Sequence, residues 1–430
     1  MPAEEHCSIL IAGAGPAGIA AACAAAGSGA SVVLLDDNPA LGGQIWRGEE
    51  KTPGGSKRDW MVRLSRSGAR VYTATRAIAP IGPGLLLAER DCEPLLIHYG
   101  KLILATGARE LFLPFPGWTL PGVTGAGGLQ ALVHGGFPIA GKRVVLAGSG
   151  PLLLAIASHL RACGALVGAV AEQAPFSRLA RFAATLAGSP RKLAQAARLQ
   201  WSLRGVPILT RAWPIAAEGG SAVSSVLLRS PQGTQRFVCD YLACGFGLVP
   251  NVELAALAGC EIRDGFVKVD EWQRTSIANI FCGGEPTGIG GLERSLVEGQ
   301  VAGHAAAGAT ARAYSLFRKR RALDRFSEHL AACFALDEEL RSMPREDTMV
   351  CRCEDVCFGA TARRSDGRDA KLQTRCGMDE AIEAGALLTF GSFGTCRFLR
   401  IAPVGTYLID SIHSYLFYRA EPIWGGRKAI

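Results

Sequence analysis

The sequence predicts an α/β fold of two interleaved Rossmann-like dinucleotide-binding domains, followed by a small C-terminal region with closely spaced cysteines. Three observations predict it. An apolar run, a glycine loop, an alanine-rich helix and a second apolar run follow one another at the N-terminus. The same order recurs after residue 143, and Cys351, Cys353 and Cys376 are spaced like a site rather than scattered like the other cysteines.

In the first unit, residues 8–12 read as a strand, Gly13-Ala-Gly-Pro-Ala-Gly18 as a turn, 19–26 as a helix and 31–35 as a second strand. Each residue type in the loop has a steric purpose. Gly13 makes the tight turn, Gly15 lets backbone N–H groups approach a pyrophosphate, and Gly18 allows close helix packing. Pro16 and Ala17 open the helix, whose N-terminus attracts anions. Asp36 ends the second strand, where an acid takes adenosine ribose hydroxyls.

The second unit has strands at 143–147 and 166–171 around a helix at 152–163. Its loop keeps Gly148 and Gly150 but has Leu153 where a third glycine would stand. Glu172 closes its second strand and would repel a 2′-phosphate, which favours NAD, or another adenine nucleotide, over NADP. A vestigial domain, kept for packing or for contact with another subunit, is an equal alternative.

Between the units, the proline- and glycine-rich residues 113–122 suit a crossover. Residues 174–204 form a basic helical pair carrying Arg178, Arg181, Arg191, Lys192, Arg198 and Arg204, a surface for a partner subunit or an anionic membrane face unless it is simply solvated. Strand and glycine-loop character returns at 242–303. The expected organisation is 1–112 with 243–308 as one discontinuous domain, 113–242 as the second, 309–348 as a helical linker and 349–430 as the cysteine-bearing region, atypical after 378.

Composition narrows the class. With 430 residues, 20% charged and 49% hydrophobic, the chain has material for two or three cores and is not disordered. The net charge of +8 is carried by dispersed arginines and the aromatics are only 7%, which argues against nucleic acid. No stretch is long and apolar enough to span a bilayer and no basic leader precedes the first strand, so a cytoplasmic protein is expected, with contact at the inner membrane face as the other location the basic insertion allows. Cys23, Cys163, Cys244 and Cys282 sit singly in apolar runs and read as reduced, buried thiols. There is no glycine-framed nucleophilic serine and no HExxH helix, so hydrolysis and zinc catalysis have no support; His134 and His159 read as ordinary helix-surface residues.

Two further segments complete a pattern. Lys101-Leu-Ile-Leu-Ala-Thr-Gly-Ala-Arg109 is a buried strand running into a small-residue turn, and Ile280-Phe-Cys-Gly-Gly-Glu285 is another strand running into a glycine pair and an acid. Here the chain resembles the two-dinucleotide-domain flavoproteins. In those, an Ala-Thr-Gly turn closes the FAD lobe and a late Gly-Asp pair meets the flavin ribityl chain. The resemblance implies FAD held by Gly13, Gly15, Pro16, Ala17, Gly18, Asp36, Gly43, Gln44, Thr106, Gly107, Gly284 and Glu285, the last in place of the usual aspartate. Disulfide reductases of this type place two cysteines near the flavin, and residues 42–52 contain none, so thiol–disulfide chemistry is not expected.

The resemblance narrows with Gly42-Gly-Gln-Ile-Trp-Arg47, Ala105-Thr-Gly-Ala-Arg-Glu110, Pro114-Phe-Pro-Gly-Trp-Thr-Leu-Pro-Gly-Val123 and Cys244-Gly-Phe-Gly-Leu-Val-Pro-Asn251. Over roughly residues 5–378 these look like the nucleotide-binding alpha subunits of heteromeric amino-acid and opine dehydrogenases. That family includes the opine oxidase A subunit, the hydrogen cyanide synthase B subunit, and the alpha subunits of proline and D-hydroxyproline dehydrogenases. The resemblance implies a beta subunit that carries the amine-oxidising flavin site, a small ferredoxin-like subunit as a further partner, a secondary amine or amino acid as substrate, and an electron-relay role for this chain. Catalytic residues are not assigned.

The resemblance also implies a 2Fe-2S module held by Cys351, Cys353 and Cys376. The family continues after its methionine with a glycine, a proline and a fourth cysteine, whereas Met378 is followed here by Asp379-Glu-Ala381, and the next cysteine is Cys396. Cys396 is the expected fourth ligand, against the alternative of unligated cysteines in a degenerate module. Two other readings stay open: a self-sufficient NAD(P)H-dependent flavin reductase, and a nucleotide-binding scaffold with no redox activity of its own.

Overall fold

Ile9, Leu10, Ile11 and Ala12 are all buried, so their strand needs neighbours on both edges and cover on both faces. It has them. In the computed structural model, which describes residues 2–46, 56–186, 190–352, 354–364 and 367–376, Ala3–Ala12 lies between the parallel strands Val32–Leu35 and Glu93–Leu104. Arg70–Tyr72 extends the sheet on one side. On the other, Ile280–Cys282 returns from far along the chain to pair with the end of Glu93–Leu104.

The register decides where a ligand can go. Ala12 pairs with both Leu35 and Leu104, Leu35 pairs with Tyr72, and Leu104 pairs with Cys282. The parallel strands therefore end level, leaving one crevice beyond their carboxyl ends, which is where ligands bind in open α/β sheets. The first strand starts earlier than its apolar run suggests, because residues 3–7 pair with 95–99, the near half of the long strand. That half also carries an antiparallel meander, Thr75–Gly82, Leu85–Arg90 and Glu93–Leu104.

A second parallel sheet is ordered Ile208–Thr210, Leu166–Glu172, Arg143–Gly148, Tyr241–Gly245, Val123–Gly125. An antiparallel sheet of Trp213–Gly219, Val223–Ser230 and Gly233–Val238 accompanies it. The chain passes between the parallel sheets twice, and the two passages, Ala108–Glu110 and Leu248–Pro250, pair with each other antiparallel. The basic insertion forms helices Phe176–Thr185 and Pro190–Ser202. Beyond the second passage come helices Gly291–Ala306, Thr310–Ser315 and Phe317–Cys333, then an irregular strap and a hairpin of Met349–Cys351 with Val356–Cys357.

Some expected positions differ. Cys163 is exposed, because it caps the C-terminal end of helix Pro151–Ala162 instead of facing the sheet. His134 and His159 are not separate surface residues; their rings meet edge to face at 4.4 Å between two helices, and burial followed by the His134 charge holds His159 below the usual imidazole range. Arg47, Cys353, Cys396 and everything after residue 376 lie outside the described residues, as does the side chain of Arg191. Among the described residues no helix is long and apolar enough to cross a membrane.

Helix Pro16–Ala26 buries eight of its residues, six of them alanines, between the first sheet and helix Gly291–Ala306. Small residues are required there: a Cβ on Gly299 would stand 2.0 Å from the Ala17 carbonyl oxygen, and one on Gly303 would stand 2.3 Å from that of Ala21. Overpacking of this kind costs about 1–3 kcal/mol. We predict that Gly299→Ala lowers the unfolding free energy by that order, read as a lower urea midpoint with an unchanged m-value, whereas Gly291→Ala, where a Cβ meets nothing within 4 Å but φ is +76°, loses only the smaller cost of left-handed strain.

Candidate functional site

The first crevice is built by backbone contact. Gly13 has φ +104°, and a Cβ there would lie 2.3 Å from the Ala105 carbonyl oxygen; a Cβ on Gly18 would lie 1.7 Å from the Gly13 carbonyl oxygen. The loop is thus pressed between its own helix and the end of the neighbouring strand, and only glycine fits. Gly15 differs. Its nearest neighbour to a Cβ is Gly43 Cα at 4.0 Å, so this face of the loop is open to the crevice. Pro16 is the first residue of the helix whose N-terminus faces the same opening.

Segments distant in sequence converge on this loop. Gly42 N donates to the Ala14 carbonyl, bringing Gly43 against Gly15, while Gln44 is exposed. Ala105 N donates to the Ala12 carbonyl and Gly283 N to that of Leu104. A Cβ on Gly284, φ +87°, would sit 2.8 Å from that of Ala17. Thr106 and Gly107 are clamped by Asn251: Thr106 Oγ1 donates to the Asn251 carbonyl at 2.6 Å, Asn251 Nδ2 to that of Thr106 at 2.9 Å, and Asn251 N to that of Gly107.

The acids have specific duties. Asp36 is buried; its Oδ2 accepts from Ala14 N at 2.6 Å, and its Oδ1 accepts from Asn38 N and Nδ2. It braces the loop from the position where ribose hydroxyls would also reach it. Glu285 caps the next helix: its carboxylate accepts from Gly290 N and Gly291 N at the start of helix Gly291–Ala306. A carboxylate at a helix N-terminus is stabilised by the unpaired N–H groups there, and the extra methylene relative to aspartate gives the reach.

Three acids escaped the sequence reading. Glu110 accepts from Gly127 N and Gly128 N, tying the first passage to the helix Ala126–His134; burial pushes its carboxyl up. Glu298 is fully buried and accepts from Gly284 N and Thr287 Oγ1 while pairing with Arg294 at 2.7 Å and Arg320 at 3.4 Å. Asp324 completes the set by pairing with Arg294. Burial pushes the Glu298 carboxyl up, against the pull of the two guanidinium groups. This network fastens the turn at Gly284 to helix Phe317–Cys333. The four-residue spacing of Arg294 and Glu298 was visible in the sequence; the partnership with Arg320 was not.

The second loop is arranged differently. Gly148 is again obligatory, since a Cβ would stand 1.9 Å from the Gly245 carbonyl oxygen, but Leu153 turns its side chain into the core of the second sheet. Glu172 accepts from Gly150 N at 2.7 Å and Ala174 N at 2.8 Å, as Asp36 does in the first loop. Burial raises its carboxyl to about 7. Of the basic insertion, Arg178 donates to the Ala335 carbonyl, Lys192 stands over the Phe326 ring and Arg204 over the Trp201 ring. At the C-terminal end Cys351 and Cys376 are buried in one small cluster with Val350 and Val356, and Cys357 is half-buried on the adjoining strand.

A model of the pyridine nucleotide-disulphide oxidoreductase family matches residues 7–308, which span both crevices. The chain belongs to this family. Membership implies FAD and NAD(P) binding and makes the chain a flavin-dependent oxidoreductase. Within the family it is similar to the A subunit of opine oxidase from Rhizobium meliloti (strain 1021), with 31% identity over 405 residues, 86% of this chain and 88% of that one. It is also similar to hydrogen cyanide synthase subunit HcnB of Pseudomonas aeruginosa, with 29% identity covering 86% and 89%. Among solved structures, L-proline dehydrogenase from P. horikoshii superposes with a TM-score of 0.64 over 92% of this chain and 76% of that one, at 18% identity, which speaks to fold alone.

The residues of the first crevice fit FAD: the open Gly15 face, the helix N-terminus and Asp36 match the needs of a pyrophosphate and a ribose. The second crevice does not fit NAD(P) equally well. Ser149, at the centre of its loop, donates to the Phe334 carbonyl at 3.0 Å, so the chain's own strap lies on it.

The raised Glu172 carboxyl makes the fold sensitive to pH. Its folded value of about 7 lies above the ordinary 4.5, so the stabilisation from its neutral form is complete below 4.5 and is lost as pH rises through 7. We predict that the melting temperature falls between pH 5 and pH 8, and that Glu172→Gln flattens this dependence in differential scanning fluorimetry.

Proposed function

We propose that this chain is the FAD-binding alpha subunit of a heteromeric dehydrogenase that oxidises an amino acid, an opine or a related secondary amine. It relays electrons from a partner beta subunit carrying the amine-oxidising site. The observation that carries the reading is the convergence of residues 13–18, 36, 42–44, 105–107 and 283–285 at one crevice, in a chain whose relatives are named as subunits of opine oxidase and hydrogen cyanide synthase.

When bound, FAD supplies a reversible two-electron carrier. The protein's part is to hold it. The Gly13–Gly18 loop, with Pro16 and Ala17, accommodates the pyrophosphate, Asp36 the adenosine ribose, and Gly43 and Gln44 close over the loop. Thr106 and Gly107, fixed by Asn251, and Gly284, fixed by Glu298, line the opposite side. Glu285 acts through the helix start that it caps. For the C-terminal region the reading extends to a 2Fe-2S centre on Cys351, Cys353 and Cys376 with Cys396 as fourth ligand. It is supported by the shared burial of Cys351 and Cys376 and leads toward a small ferredoxin-like partner. The exposed basic helices are the surface offered to the beta subunit or to an anionic membrane face.

Gly15→Leu tests the cofactor assignment, because its side chain enters open space and leaves the fold intact while blocking the pyrophosphate. The parent should hold about one FAD per chain and the variant less than about a tenth of that, with unchanged circular dichroism; full flavin content in the variant would sink the assignment.

The isolated chain should not reduce a dye with proline, hydroxyproline or opines, whereas the co-purified heteromer should. Amine-dependent reduction by this chain alone would contradict the subunit reading. Iron and acid-labile sulfide in the same anaerobic preparation should be substoichiometric and lost in Cys396→Ala; full occupancy that survives the substitution contradicts the proposed ligand set.

A further inference from the structure

In a dinucleotide-binding unit the ligand crosses the carboxyl ends of the first two strands, its pyrophosphate over the glycine loop and its adenosine ribose beside the acid that ends the second strand. In the second unit those two places are marked by Ser149 and by Gln173, which directly follows Glu172. Both are engaged by the same piece of chain. Ser149 Oγ donates to the Phe334 carbonyl at 3.0 Å, and Gln173 Nε2 donates to the Ala335 carbonyl at 3.2 Å and to Ser149 Oγ at 2.8 Å. Gln173 Oε1 accepts from Asp337 N at 3.0 Å. Gln173 itself is fully buried under this segment.

The segment is anchored at both ends. On the near side Phe334 packs edge to face on Phe182, with ring centroids 5.1 Å apart, and Arg178 donates to the Ala335 carbonyl. On the far side Leu340 and Met343 are buried in the same core as Val145, Ala147 and Ala171 of the second sheet, and Glu339 pairs with Arg211 and Arg229. A lid that opened for a ligand would have to withdraw two core side chains. Beyond Met343 the chain delivers the cysteine hairpin to the crossover between the sheets, where Trp118 Nε1 donates to the Met349 carbonyl at 2.6 Å.

We propose that the second nucleotide crevice is occupied by the chain's own residues 334–340 in place of NAD(P)H, and that this domain is a cradle that places the C-terminal cysteine hairpin against Trp118. Reducing equivalents then do not enter from a nicotinamide. The assignment is independent of which amine is oxidised, and flavin content, measured in the same samples, reports on the first crevice separately.

The FAD-loaded full chain is titrated with NADH and NADPH, with binding read by nicotinamide fluorescence and amide hydrogen exchange followed over residues 335–340. The expected result is no saturable binding below ~1 mM and an Asp337 amide whose protection NADH leaves unchanged. Gln173→Ala removes the acceptor of that amide and should speed its exchange by roughly tenfold, the equivalent of one net hydrogen bond. Should that variant fold poorly, Ser149→Ala removes only the bond to Phe334 and should speed exchange over the near half of the strap. Micromolar binding of either dinucleotide, NADH-induced deprotection of 335–340, or exchange at Asp337 as fast in the parent as in an unfolded peptide would overturn the proposal.

Discussion

The helix Pro16–Ala26 rests directly on the backbone of its own loop, with Gly18 against the Gly13 carbonyl and Gly13 against that of Ala105. The rest of the first domain depends on that contact. It brings the helix N-terminus level with the ends of the parallel strands, leaves Gly15 as the open face of the loop, and exposes an alanine surface that another close-packed helix, Gly291–Ala306, must cover. The covering helix comes from far along the chain. Its burial therefore draws the strand Ile280–Cys282 and the turn at Gly284 into the same crevice, so one steric constraint assembles a site from segments that are distant in sequence.

The parts of this arrangement that follow from sterics were legible in the sequence. A glycine that must approach a carbonyl, an alanine-rich helix and an apolar run buried on both faces each announce themselves by residue type, and the Gly13–Gly18 unit and its copy at 148–153 are recognisable on those grounds. What depends on partners chosen by tertiary packing was not. Glu285 was legible only as the acid of a known pattern; its bonds to two helix N–H groups depend on the turn that follows it. Glu298 and Arg320 meet because two helices pack, and nothing in either segment names the other. Ser149 and Gln173 are ordinary polar residues whose meaning comes from the strap laid over them.

The two crevices show how one supersecondary unit serves different ends. Both keep an acid that accepts a loop N–H, Asp36 from Ala14 and Glu172 from Gly150. In the first the third glycine draws the helix under the loop. In the second Leu153 fills the core, and the space above the loop goes to the chain's own C-terminal segment. This division is what the proposed electron relay requires: one flavin-type crevice stays free for a cofactor, and the other anchors the cysteine-bearing region.

The most direct test is anaerobic reduction of the chain's flavin, followed by its absorbance, in the complex purified with its natural partner and in the chain alone. The account predicts that a secondary-amine amino acid or opine bleaches it only in the complex and that NADH bleaches it in neither. Rapid bleaching of the isolated chain by NADH would contradict it.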